Sequence, residues 1–200
     1  WAPTPYRATG DLDLLGFGNN DPEQVAGLFR EIMVIAADDG VVFKPATIVS
    51  AAARAEDEYS GVRLDFQAEL AGARLSIHVD IGFGDAITPS AQDIDYPSLL
   101  DLPQPKLLAY PPETVVAEKF HAMTALGMIN SRMKDFFDLW AIANTFIFEG
   151  PVLAEAIALT FARRETPLPT EPPVAFTAAF ADAKQGQWSA FLKRTEISMA

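Results

Sequence analysis

GVRLDFQAELAGARLSIHVDIGFGD, residues 61–85, decides how this chain reads. Val62, Leu64 and Phe66 alternate with Arg63, Asp65 and Gln67; after the turn AGA, Leu75, Ile77, Val79 and Ile81 alternate with Ser76, His78 and Asp80. A period of two sends successive side chains to opposite sides of a strand. The stretch is therefore predicted to be a β-hairpin with one buried face and one polar face.

Toward the N-terminus, RATGDLDLLG at 7–16 continues the pattern. Residues 10–16 read as a strand with Asp11 and Asp13 on one side and Leu12 and Leu14 on the other. Like charges at neighbouring same-face positions repel. Either the pair is a solvated strand edge or a set of turn-capping aspartates, or something cationic sits between them. NNDPEQVAGLFREIMVIAAD at 19–38 reads as a helix, with Asp21 as the cap, Pro22 as the first helical residue, and Val25, Leu28, Phe29, Ile32 and Ile35 as its apolar stripe. Residues 47–55 read equally as strand or helix.

Beyond the hairpin, residues 85–112 are rich in Pro and Asp and lack periodicity, which suggests a long surface connection. Three helical stretches follow: PPETVVAEKFHAMTALG ending at Gly127, SRMKDFFDLWAIANTF capped by Ser131, and GPVLAEAIALTFARR. A Pro-rich break at 167–173 precedes one or two more helices that end near Arg194. The organisation is α+β: an α/β core over residues 1–110, made of a mixed sheet with a flanking helix, and a helical bundle over 111–200. No repeat or low-complexity tract is visible.

Half of the 200 residues are hydrophobic, so the chain is globular, and no apolar run is long enough to cross a membrane. The absence of cysteine excludes disulfides and thiolate zinc sites, and two histidines, His78 and His121, exclude a histidine-rich metal cage. A net charge of −12 argues against nonspecific nucleic-acid binding. It leaves room for a local basic patch, for which Arg132, Lys134, Arg163 and Arg164 are the candidates. The chain opens on Trp1 rather than Met, which suggests that its N-terminal part, with any targeting segment, is missing.

Asp80 ends the second hairpin strand on the polar face. If that strand neighbours residues 10–16, Asp11, Asp13 and Asp80 converge. Three close carboxylates need a counter-ion, and hard oxygen ligands suit Mg²⁺ or Mn²⁺. Two such ions can clamp an in-line phosphoryl displacement. Gly10, Gly82 and Gly84 fit close backbone approach to a ligand or ordinary strand-end turns, and His78 fits a hydrogen-bonded structural residue or a ligand. A second cluster lies in AEKFHAMTALGMINSRMKDFFDLW, 117–140. Lys119 flanks the stripe Val115, Val116, Phe120 and Met123, and can pair with Glu118 or Glu113 at the surface. Asp135 and Asp138 share a helix face, with Arg132 and Lys134 at salt-bridging distance along it. Phe136, Phe137, Leu139 and Trp140 argue against a fully exposed Asp138.

RATGDLDLLG, VDIGFGD, YPPETVVAEKFHAM and NSRMKDFFDLW, in this order, with TFARRETPLP at 160–169, resemble the AbiEii/AbiGii nucleotidyltransferase-like toxin family. That family is similar to the polymerase β-like nucleotidyltransferases. The resemblance implies metal binding by Asp11 and Asp13, with Asp80 as the third carboxylate and base on the attacking hydroxyl. It implies that Lys119 contacts the nucleotide phosphates, that Asp135 or Asp138 completes the downstream motif, and that Arg132 binds triphosphate or substrate. The implied activity is Mg²⁺- or Mn²⁺-dependent transfer of NMP from an NTP to an RNA (tRNA) or protein acceptor. The implied setting is the toxin half of a type IV toxin–antitoxin or abortive-infection pair, with a cognate antitoxin, in the cytoplasm and without a membrane. Such enzymes carry a Gly-Gly or Gly-Ser turn upstream of D-x-D, which this sequence does not show, so the activity of this chain by itself is in question. A catalytically inactive binding module and a metal-dependent phosphohydrolase are the alternatives.

Overall fold

A computed structural model describes residues 10–52, 61–98 and 103–197. Residues 1–9, including the start of RATGDLDLLG, and 53–55, part of the ambiguous element, lie outside the described residues. The described residues up to Asp85 form one compact unit and those from Ala86 form another.

The first unit contains strand β1 (Asp11–Gly16), helix α1 (Pro22–Met33) and strands β2 (Val41–Ala52), β3 (Gly61–Leu70) and β4 (Ala73–Phe83). The four strands form one mixed sheet in the order β1-β4-β3-β2, in which β1 runs parallel to β4 and the other pairs are antiparallel. The expected hairpin is β3–β4. Its two-residue turn places Ala71 at φ 50° and Gly72 at φ 83°, the left-handed pair that matches the twist of the flanking strands.

The ambiguous stretch resolves as strand β2, whose register shifts between Lys44 and Val49. Pro45 lies inside the irregularity. It has no N–H to give to a ladder, and β2 is an edge strand, where that loss is tolerated. The Thr47 hydroxyl repairs the gap: it donates to the Lys44 carbonyl at 2.7 Å and accepts from the Gln67 N–H at 2.9 Å.

The apolar face of the sheet carries Val62, Leu64, Phe66, Val79 and Ile81 into one buried cluster with Val25, Ala26 and Met33 of α1 and with Ile48. Fully burying side chains of this size contributes about 1.5–3 kcal/mol each. The start of α1 is as expected: Pro22 opens it, and the Asp21 carboxylate accepts from the Gln24 N–H at 2.9 Å. The expected stripe is only partly the buried one. Val25 and Phe29 face the sheet, whereas Leu28, Ile32 and Ile35 are exposed. The apolar arc of this helix is wider than the surface that β2 and β3 offer it, so one flank stays outside.

The second unit holds a hairpin of β5 (Gln92–Asp95) and β6 (Lys106–Ala109), then α2 (Pro112–Leu126), α3 (Met133–Thr145), α4 (Gly150–Arg163) and α5 (Ala178–Thr195). The hairpin corrects the reading of 85–112 as unstructured connection; strands of four residues are too short to show a period. Helix α2 ends at Gly127, which takes φ 48°. Ser131 does not cap α3 as expected. The first residue before the helix is Arg132, and the Asn130 side chain accepts its N–H at 2.8 Å. Phe137, Ala141, Met123, Phe180 and Phe191 make the main core. His121 is buried against Phe161, ring centroids 5.0 Å apart. Its Nε2 lies 2.9 Å from the Thr166 hydroxyl, which donates its own proton to the Arg164 carbonyl. The Nε2–H therefore donates to Thr166, and His121 ties down the segment after α4.

Candidate functional site

The polar face of the first unit's sheet is built by register. β1 lies beside β4 with Asp11 opposite His78 and Asp13 opposite Asp80. β4 lies beside β3 with His78 opposite Asp65 and Asp80 opposite Arg63. Cross-strand partners share a face and sit about 4.8 Å apart. Two parallel rows result, Asp13–Asp80–Arg63 and Asp11–His78–Asp65, on the side of the sheet opposite α1. The strand neighbourhood that the sequence reading required is present, and Asp11, Asp13 and Asp80 occupy one face.

Within the rows the side chains are paired by charge. Arg63 grips Asp80 with two parallel bonds, Nε to Oδ1 at 2.7 Å and Nη2 to Oδ2 at 2.6 Å. This fork geometry is the strong form of a charge-assisted pair. The Asp80 hydrogen bond, then the Asp80 charge, hold the Arg63 guanidinium above its ordinary range; burial opposes them, and Asp65 and Asp11 add smaller help. His78 Nδ1 donates to Asp65. Within these two rows four carboxylates stand beside the Arg63 guanidinium and the His78 ring, and the excess negative charge suits a cation.

The donor set fits a hard divalent ion. It consists of carboxylate oxygens, with Asp13 and Asp80 side by side and Asp11 two residues along the same strand face. The set is not closed around a point. Among the described residues no three His, Asp or Glu side chains converge as a ready-made cation cage. Both Asp80 oxygens are turned to Arg63 instead. The sequence analysis gave Arg63 no role, although its place on the polar face of the hairpin with Asp65 and Asp80 was the available signal.

The second unit holds the other cluster. Glu118 and Lys119 are consecutive on α2 and, about 100° apart around the helix, face different partners. Glu118 pairs with Arg164 just past the end of α4. Lys119 Nζ faces α3, 2.7 Å from Asp135 Oδ1 and 2.9 Å from Asp138 Oδ2. Arg132 Nε approaches Asp135 Oδ2 at 3.0 Å. The Asp135 side chain is only 3% exposed and Lys119 19%, so this is an interior ion cluster and not a surface pairing. Both Asp135 oxygens meet a cation, and its place in the first turn of α3 puts its charge at the favourable end of the helix dipole. Asp138 is shielded as its aromatic neighbours suggested, but Asp135 is the more buried of the two.

The proposed basic patch loses a member. The Arg164 side chain is 5% exposed and spent on Glu118, so it presents no cation at the surface. Spacing along the helix predicts a pairing of Lys134 with Asp138; the structure pairs Asp138 with Lys119 of α2.

A family model described as nucleotidyl transferase AbiEii toxin, type IV TA system, matches residues 1–198. No curated protein matches the chain.

Proposed function

Because the chain belongs to the family of AbiEii nucleotidyl transferase toxins of type IV toxin–antitoxin systems, we propose that it moves the nucleoside monophosphate of an NTP to a hydroxyl of an acceptor, an RNA such as tRNA or a protein. The observation that carries this reading is the register of Asp13 beside Asp80, with Asp11 on the same face, in a chain matched by the family along nearly its whole length.

In this proposal Asp11, Asp13 and Asp80 hold Mg²⁺ or Mn²⁺. When bound, the ion neutralises charge on the phosphoryl group in transfer and on the departing pyrophosphate. Asp80 accepts the proton of the acceptor hydroxyl. The hydroxyl oxygen bonds to the α-phosphorus, the bond from that phosphorus to the β-phosphate oxygen breaks, and pyrophosphate leaves. Asp135 and Asp138 are assigned to holding Lys119. The family also implies a cognate antitoxin as partner. NTP and tRNA as substrates point to the cytoplasm; no helix among the described residues is long and apolar enough to cross a membrane.

The test incubates the protein with each α-labelled NTP, Mg²⁺ and either a tRNA pool or a protein mixture. Label enters one acceptor class, and Asp11→Ala/Asp13→Ala abolishes it. Free labelled nucleotide without labelled acceptor identifies a phosphohydrolase instead. Absence of NTP binding in calorimetry identifies a non-catalytic module, a reading that the engagement of both Asp80 oxygens with Arg63 favours.

A further inference from the structure

We propose that Arg63 is a resident counter-cation: it holds Asp80 in the absence of a divalent ion and competes with the ion for that carboxylate. The inference rests on the assignment of Asp11, Asp13 and Asp80 as metal ligands.

The geometry carries it in three steps. First, the two bonds at 2.7 and 2.6 Å occupy one inward-facing lone pair on each Asp80 oxygen, the positions from which a carboxylate best binds a cation. The outward-facing lone pairs stay open, but an ion held there lies close to the guanidinium and is repelled by it, so the two cations compete for Asp80. Second, Arg63 is free to leave. It sits opposite Asp80 on the neighbouring strand, and its side chain is 56% exposed, so rotation away from Asp80 breaks no core packing. Third, the face would be poorly balanced without it. Asp13, Asp80, Asp11 and Asp65 lie in two adjacent rows, and Arg63 is the guanidinium set among them. Asp65, two residues along β3, and Asp11 lie on the same face as Arg63. The released side chain therefore stays over the same face rather than being lost to solvent.

A purely structural cross-strand pair makes a different forecast from a competing one. A structural pair leaves cation affinity unchanged or lowers it, since its loss lets Asp80 wander. A competing pair raises affinity when removed. The experiment measures Mn²⁺ binding by electron paramagnetic resonance, beside thermal unfolding with and without Mn²⁺, for wild type, Arg63→Gln, Arg63→Lys and Asp80→Asn.

The expected result is Mn²⁺ binding about three- to tenfold tighter in Arg63→Gln than in wild type, from the loss of a competing charge-assisted pair at a half-open site. Arg63→Lys falls between them, because an ammonium contacts the carboxylate at one point only. Arg63→Gln melts lower than wild type without Mn²⁺ and gains more from its addition. Asp80→Asn weakens binding whether or not Arg63 is present. If Arg63→Gln does not fold, Arg63→Lys carries the comparison. Equal or weaker Mn²⁺ binding in folded Arg63 variants, with wild-type binding intact, overturns the counter-cation and leaves the metal assignment standing. Absence of Mn²⁺ binding in wild type and in the folded Arg63 variants overturns both.

Discussion

Lys119 Nζ stands between two carboxylates one helix turn apart, 2.7 Å from Asp135 and 2.9 Å from Asp138. Asp135 is also held by a second cation, Arg132, and is the more buried of the two. The two aspartates are therefore unequal, and variants separate them. Asp135→Asn puts a neutral amide against Lys119, which keeps Asp138, and against the half-exposed Arg132. Breaking a buried pair by removing one partner costs about 3–5 kcal/mol, and the partial exposure of Lys119 brings the expected loss to roughly 2–4 kcal/mol. Asp138→Asn leaves Lys119 its shorter contact and loses less. Urea unfolding of both variants measures the difference, and equal losses would contradict this ranking.

Gly16 has no room for a side chain. A Cβ there would lie 2.5 and 2.6 Å from the ring of Phe83, its cross-strand partner. Gly16→Ala must push an aromatic ring out of its place, an overpacking loss of about 1–3 kcal/mol. Phe83→Leu in the same background removes the clashing atoms. The double variant is expected to lose less than the sum of the single ones, as read by a double-mutant cycle.

Ala71 holds a left-handed backbone at φ 50° in the β3–β4 turn, ahead of Gly72 at φ 83°. Alanine tolerates that region poorly, whereas Asn-Gly is the preferred pair for such a turn. Ala71→Asn is expected to stabilise the protein by about 0.5–1 kcal/mol, seen as a higher Tm, and Gly72→Ala to lower it.

Thr47→Val keeps the shape of the β2 irregularity and removes its hydroxyl. The Gln67 N–H then loses its acceptor and the Lys44 carbonyl its donor. The expected loss is about 1–2 kcal/mol in urea unfolding. Faster amide exchange at Gln67 than at its neighbours in β3 locates the cause.

What the sequence determined by itself was local. Alternation placed Arg63, Asp65, His78 and Asp80 on one face of a hairpin and Val62, Leu64, Val79 and Ile81 on the other, because side-chain direction in a strand follows from backbone geometry alone. Pro22 and Gly127 marked the start of α1 and the end of α2 for equally local reasons. The tertiary structure decided which groups meet. The order β1-β4-β3-β2 set Asp13 beside Asp80 and Asp80 beside Arg63. Packing of α2 against its neighbours sent Glu118 to Arg164 and Lys119 to Asp135, and the limited width of the sheet left Leu28 and Ile32 outside. Each of those outcomes depends on which distant segment lies alongside, and no periodicity within a single element encodes the identity of its neighbour.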